Sequence, residues 1–322
     1  TAPLTLAEMT FHGGNNTIRY YVMAGLLQNE GLYKGTDRKR KENSNAYYSR
    51  YNFRANLDIN VTKALSTSLY TSVSIGEQST PGGGFSADKL INSIWTTPPN
   101  AFPIYNPDGT FGGTNIYTNP VGNMLHRGLY KENSRALQVI FNLNYDFNHI
   151  VKGLSAKVGV AYNNYVAETS LKTRDYVRYS ISQSGVDADN KPVYAYTPYG
   201  ANAPLQSSEG FRTDFIRTNF KAQIDYNRQF GQHGFDATAF CMTDMYKVYG
   251  VRYDSRYLNY AGRATYNFKK TYIAEFAASY MGTDNFPPPH RFGFFPAGSV
   301  AWVASNEAFL RPVSWLNHLK FR

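Results

Sequence analysis

Polar and apolar residues alternate one for one along much of this chain. Between residues 47 and 61 the odd positions carry Tyr51, Phe53, Ala55, Leu57, Ile59 and Val61, while the even ones carry Arg50, Asn52, Arg54, Asn56, Asp58 and Asn60. Such a period of two predicts a β-strand with one apolar and one polar face. The pattern recurs over 135–148, where Leu137, Val139, Phe141, Leu143, Tyr145 and Phe147 oppose Gln138, Asn142, Asn144, Asp146 and Asn148. It recurs over 214–228, with Ile216, Phe220, Ala222, Ile224 and Tyr226 against Arg217, Asn219, Lys221, Gln223, Asp225 and Asn227. Weaker alternation predicts strands at 17–28, 66–78, 153–166, 234–248, 257–268, 271–284 and 293–304, and a last strand begins at Asn317. These are about twice the usual five or six residues of a globular strand.

The connections alternate in length as well. Short ones fall near 61–65, 148–153, 229–233 and 268–271, long ones at 29–46, 79–133 and 167–212, and intermediate ones near 249–256 and 285–292. Long strands joined by turns at one end and loops at the other predict an all-β fold, a transmembrane antiparallel β-barrel with long extracellular loops. A soluble sandwich has shorter strands and more closely spaced turns. No stretch approaches the roughly 18 apolar residues of a membrane helix, which excludes a helical topology, but a barrel strand crosses with about 9 to 11 residues. The 27 Tyr, 21 Phe and 3 Trp of the 322 residues fit that picture. Tyr145, Phe147, Tyr226, Phe230, Tyr266 and Phe268 stand near strand ends, where interfacial girdles belong.

Charge and candidate chemistry change this picture little. Lys and Arg exceed Asp and Glu by 33 to 23, a net +10, but the excess is spread along the chain. Its one compact run, Arg38, Lys39, Arg40 and Lys41, reads as a solvated loop. Nucleic acid is therefore not an expected partner. The single Cys241 excludes an internal disulfide, and the histidines lack zinc spacing. Gly82, Gly83 and Gly84 are not followed by a P-loop lysine and read as a flexible loop tip. The segment 187–192, DADNKP, lacks the glycine and distal glutamate of a calcium loop and reads as a hairpin turn. Asp58, Asp146, Asp225, Asp236 and Asp244 fall on polar strand faces, as solvated or Arg-paired charges rather than a glycosidase pair. No catalytic residue, metal or cofactor is expected, and the protein is read as no enzyme.

The 79–133 connection is long enough to carry a function. A helix is predicted at 86–96, with Ser86 as its cap and Leu90, Ile91, Ile94 and Trp95 as its apolar face; Pro98 and Pro99 end it. A turn follows at Asn106-Pro107-Asp108-Gly109. Flat rings beside hydrogen-bonding groups suit carbohydrate, which makes Trp95, Tyr105, Asn106, Asp108 and Tyr117 the candidate substrate-binding residues. The competing role of each aromatic is to pack the loop itself.

The runs YAGRATYNFKKTYIAEFAASYMGTDNF (260–286), HRFGFFPAGSVAWVASNEAFL (290–310) and SWLNHLKFR (314–322) closely resemble the barrel of SusC/RagA-type TonB-dependent transporters of Bacteroidetes. The matching positions are Gly262, Arg263, Tyr266, Asn267, Lys269, Asp284, Arg291, Gly293, Phe295, Pro296, Ala297, Ser299 and Trp302; Pro287, Pro288 and Pro289 depart from the pattern. FHGGNNTIRYYVMAGLLQNEGLYKG (11–35) resembles the family's early barrel, and IWTTPPNAFPIYNPDGTFGG (94–113) its long extracellular loop. The resemblance implies about ten to eleven strands of a larger barrel of roughly 22 around a plugged lumen. Residues 1–322 then form part of a single barrel domain, an internal fragment in which neither plug nor N-terminal extension is read. It further implies the outer membrane as location, with surrounding lipid, a SusD-like surface lipoprotein and the TonB complex as partners. The implied cargo is a glycan or oligosaccharide; an oligopeptide, or a passive porin or adhesin barrel, is the alternative, and a soluble β-rich hydrolase fits least.

Overall fold

Runs of alternating side chains can satisfy their backbone groups only by pairing with neighbours, and here they pair in sequence. A computed structural model describes residues 3–33, 45–83, 87–251, 253–310, 312–313 and 315–322. The strands are β1 (Leu4–Gly14), β2 (Ile18–Glu30), β3 (Tyr47–Asn60), β4 (Leu65–Pro81), β5 (Gly128–Asp146), β6 (Leu154–Thr173), β7 (Arg178–Val186) and β8 (Pro192–Tyr199). They continue with β9 (Gln206–Phe230), β10 (His233–Val248), β11 (Ser255–Phe268), β12 (Tyr272–Thr283), β13 (Phe292–Val303) and β14 (Lys320–Phe321). Twelve form one antiparallel sheet in the order β1-β2-β3-β4-β5-β6-β9-β10-β11-β12-β13-β14, and β7 and β8 form a separate hairpin.

The register carries the two-faced pattern across strands. One row reads Ile59, Thr67, Leu143, Val158, Ala222, Cys241, Tyr260, Tyr280 and Phe294 from β3 to β13. The next row, pointing the other way, reads Asp58, Ser68, Asn142, Gly159, Lys221, Met242, Asn259, Met281 and Gly293. Since the period is two, a slip of one residue would turn every apolar side chain onto the polar face. The single register shift along these seams is the bulge between Ala167 and Glu168, far from the apolar rows.

On the polar face, charges are neutralised across strands. Arg217 reaches both oxygens of Asp244 at 3.0 Å through Nε, Lys157 sits 3.1 Å from Asp225, and Arg263 lies 3.3 Å from Asp236. Asp58 accepts from the Tyr70 hydroxyl, and Asp146 from the backbone and side chain of Asn148. Each of the five aspartates thus has a hydrogen-bond or ion-pair partner among its neighbours. The apolar face has no such partners: Leu143, Phe141, Val158, Ile224 and Phe294 are all at least a third exposed. The described residues build no core against this face.

The apolar stretch also has the length of a crossing. Along β5 the residues on that face run from Tyr145 through Leu143, Phe141, Val139 and Leu137, and then give way to Arg135, which pairs with Glu168 at 3.7 Å. Leu137 to Tyr145 matches the roughly 9 to 11 residues that a barrel strand needs. The strand itself has 19 residues, and β9 has 25, so both continue past the apolar belt into a charged region on the loop side.

Four details differ from expectation. The sheet contains twelve strands because β1 pairs with β2 along its full length, though Glu8 and Thr10 interrupt its alternation and hide it from a periodicity search. Strands β4, β5, β6 and β9 extend into the predicted loops, and the 167–212 connection holds the hairpin of β7 and β8. Gly82 and Gly83 are no loop tip: Gly82 N–H donates to Gly128 O at 2.9 Å, and a Cβ on Gly83, at φ +56°, would lie 2.5 Å from Arg127 O. The turn-side connection 304–319 is longer than its counterparts and includes a 3₁₀ turn at Ala304–Asn306. Gly84, Ser86 and the run Arg38 to Lys41 lie outside the described residues.

If the apolar face meets hydrocarbon, Phe141→Arg at the middle of the β5 run should cost about 2–4 kcal/mol in refolding into lipid vesicles. Asn142→Arg, on the opposite face, loses one hydrogen bond to Ser68 and should stay within about 1 kcal/mol of the unaltered protein. Equal penalties at the two positions would mean that neither face meets lipid.

Candidate functional site

The loop-side connections fold into a module of their own. After β4 the chain forms α1 (Ala87–Thr96), crosses the Asn106 turn, and forms α2 (Pro120–His126) before entering β5. Helix α2 escapes a search for apolar periodicity because it is short, yet Asn119-Pro120 marks it, a cap followed by proline at the first helical positions. The Asn119 side chain accepts from Val121 N at 3.0 Å and Gly122 N at 3.1 Å, and donates to Ile104 O at 2.7 Å and Gly112 O at 2.9 Å. All of its capacity is used.

A second connection locks onto the first. The Tyr176 hydroxyl, from the segment between β6 and β7, donates toward Asn119 O at 3.0 Å and lies 3.1 Å from Asn123 Oδ1. Asn119 and Asn123 are fully buried, and burial pushes the Tyr176 phenol up to about 12. Only glycine fits at 122, since a Cβ there would stand 2.5 Å from the Tyr176 oxygen. The Phe111 ring packs 5.0 Å from His126 and 5.6 Å from Tyr176. Tyr179 N–H donates to Phe111 O at 2.9 Å, Gly113 N–H donates to Tyr179 O at 3.1 Å, and Arg178 Nε donates to Thr114 O at 3.0 Å. Leu90, Met124 and Leu129 supply a small apolar core.

The five candidate residues part company in this module. Trp95 is 80% exposed, and Ile91 and Ile94 are exposed with it, so only Leu90 of the predicted helix face turns inward. Tyr105 is exposed, with its ring 5.3 Å from Phe111. Asn106 is buried, and its amide donates inward to Thr110 Oγ1 at 3.0 Å and Tyr179 O at 3.3 Å, so it ties the loops together. Asp108 is exposed and accepts from the Thr110 hydroxyl at 2.6 Å, the contact that holds its carboxyl below the usual range. Tyr117 is half-buried, with its N–H bonded to Thr114 Oγ1. Trp95, Tyr105 and Asp108 are the members that face solvent. Sequence reasoning missed Asn119, Asn123 and Tyr176, which hold the module in shape.

The 187–192 segment is the expected turn: Asp187 Oδ1 accepts from Asp189 N and Lys191 N at 3.0 and 2.8 Å between β7 and β8. Among the described residues, no three His, Cys, Asp or Glu side chains gather to hold a metal.

Comparison with known proteins gives this geometry a family context. No family model matches the chain. TonB-dependent receptor P3 of Formosa agariphila is similar over the whole chain, at 21% identity, and the alignment takes in 32% of that receptor. TonB-dependent receptor SusC of Bacteroides thetaiotaomicron is 32% identical over 65 residues, 20% of this chain and 6% of SusC. Among solved structures, the RagAB peptide importer in its closed-closed state superposes with a TM-score of 0.69 at 16% identity, over 96% of this chain and 35% of that one. The chain therefore spans about a third of the length of the relatives it matches. The likeness to TonB-dependent receptors read from residues 11–35, 94–113 and 260–322 extends along the entire chain, and the fold is that of their barrel wall.

Tyr176→Phe should loosen the loop module without unseating the wall. It removes both contacts of a buried hydroxyl and leaves Asn123 Oδ1 short of a donor, a loss of about 1–3 kcal/mol. Limited proteolysis of the membrane-inserted protein should then cut within 82–127 faster. The module should also weaken as pH climbs from about 10 toward 12, because the unfolded phenol ionises first and the folded one resists. Unchanged cleavage in the variant would show that Tyr176 does not hold the loops.

Proposed function

We propose that the chain is wall and external loops of an outer-membrane transporter of the TonB-dependent type, and that its cargo is a glycan or oligosaccharide. The observation that carries this reading is the sheet itself. One face is apolar over a membrane's width, turns lie at one end, and a folded loop module lies at the other. The full-length similarity to TonB-dependent receptors supports it. In this reading residues 1–322 are part of one barrel domain, energy arrives from the TonB complex through parts of the protein beyond these residues, and the substrate is moved rather than altered.

The loop module supports the finer proposal. Trp95 and Tyr105 offer exposed ring faces, and the ionised Asp108 stands in the same connection as an acceptor for sugar hydroxyls. Asn106 and Tyr117 act in this proposal by holding the turn in shape. A SusD-like lipoprotein would cover this end. An oligopeptide is the second reading, favoured by the peptide importer that shares the fold.

In the full-length transporter, Trp95→Ala with Tyr105→Ala should lower glycan affinity on the order of tenfold, as expected for two ring contacts of about 0.5–1.5 kcal/mol each, while membrane insertion stays normal. Affinity of the isolated transporter and association with the lipoprotein should be measured in one detergent preparation. Loss of association alone would reassign the two rings to lid docking. No change in either would leave them as loop packing and remove the site.

A further inference from the structure

The turn end of the wall carries a charge pattern that import does not use. Among the described residues of the turn-side connections, Lys63, Lys152, Lys269 and Lys270 are exposed cations, against one carboxylate, Glu307. Glu307 is engaged, accepting from the Tyr272 hydroxyl at 2.6 Å and Trp302 Nε1 at 3.1 Å. The aspartates nearest this end, Asp58, Asp146 and Asp236, all lie on the polar face and are bonded there. On the polar face these acids have partners, some of them cations such as Arg263 beside Asp236. At the rim of the apolar belt, Lys269 and Arg228 have no carboxylate within ion-pair distance among the described residues.

One of these rim cations, and Arg228 near the turn end of β9, lie against rings of the belt. The Lys269 ammonium stands 5.2 Å from the Phe268 centroid, and the Arg228 guanidinium 4.5 Å from that of Phe230. Both rings share the apolar face, where Phe235 and Tyr266 neighbour them at 6.1 Å (Phe230–Phe235) and 5.1 Å (Phe235–Tyr266). Lys63 and Lys152 adjoin Val61 and Val151, both exposed. The backbone at Lys269 and Lys270 is left-handed, at φ 57° and 56°, which makes a tight turn with both residues exposed at its tip. A cation fixed just beyond a ring matches an amphiphile whose acyl chain runs down the belt and whose negative headgroup sits at the rim.

We infer that this rim binds anionic phospholipid in the leaflet at the turn end, the periplasmic one in a barrel with short periplasmic turns. The occupant is identified by charge complementarity: a phosphodiester that lacks a balancing ammonium, as in phosphatidylglycerol, meets Lys63, Lys152, Arg228, Lys269 and Lys270. A zwitterionic lipid brings its own cation to the same place and gains less. The inference rests on the wall reading proposed above.

The test uses the full-length protein in detergent, exposed to equal amounts of phosphatidylglycerol and phosphatidylcholine, with retained lipid read by native mass spectrometry. Phosphatidylglycerol should be retained roughly fivefold or more over phosphatidylcholine, the effect of about one near-surface cation. Changing all five residues jointly to Gln should bring retention close to parity. The four Lys→Arg substitutions, which keep the charge, should preserve the preference. Equal retention of the two lipids by the unaltered protein, or a preference that survives the Gln changes, would overturn the inference. Incorporation into bilayers, measured alongside, separates the two claims: a protein that inserts but shows no lipid preference loses the rim site and keeps the wall, whereas one that enters no bilayer loses both.

Discussion

Everything in this structure follows from one unpaired surface. The odd-numbered side chains of β3 and β5 and the even-numbered ones of β9 belong to an apolar face on which no other described element packs, so the sheet has no core there. In water each of its large side chains would forgo about 1.5–3 kcal/mol of burial. A hydrocarbon surround would remove that penalty, but it cannot hydrogen-bond to backbone, and the unbroken ladder from β1 to β13 would answer that second demand. Length of strand, continuity of register and sorting of faces are consequences of meeting both at once.

Where the apolar belt ends, the rules of packing change. Past Leu137 on β5 the same face carries Arg135 and its Glu168 partner, and past Thr80 the chain folds into the loop module. Here the chain builds a conventional interior. It is small and unusually polar, since Asn119 and Asn123 occupy its centre and satisfy one another's surroundings through Tyr176. A buried amide that fills all its hydrogen bonds specifies one arrangement of two loops more sharply than an apolar contact of the same size would. Trp95 and Tyr105 stay exposed at its surface.

The wall was legible in the sequence because its physics is local. Alternation at residues 47–61 or 135–148 records a one-sided environment, and each face keeps that environment along the apolar belt. β1 was missed because Glu8 and Thr10 break the pattern, and its place is set by pairing with β2, a fact about another segment. The loop module was less legible for a related reason. Asn106 looked like a ligand group because asparagine in a turn usually faces water, yet its amide crosses to Tyr179, 73 residues away. Likewise, the triplet beginning at Gly82 resembled a mobile tip, while the close approach of Arg127 that requires glycine at 83 comes from the far end of the same connection.

The two ends of the wall are then unequal by construction. On the turn side most connections are only a few residues, too short to fold, and can act only through the side chains they display at the membrane rim. On the loop side the strands overshoot the apolar belt, β9 by far more than a crossing requires, and this overshoot separates the loop module from the belt. A module held beyond the belt on stiff paired strands is set apart from the wall below it. Its position therefore depends on the same strand pairing that satisfies the buried backbone, and a break in that ladder would move the loops as surely as it would open the wall.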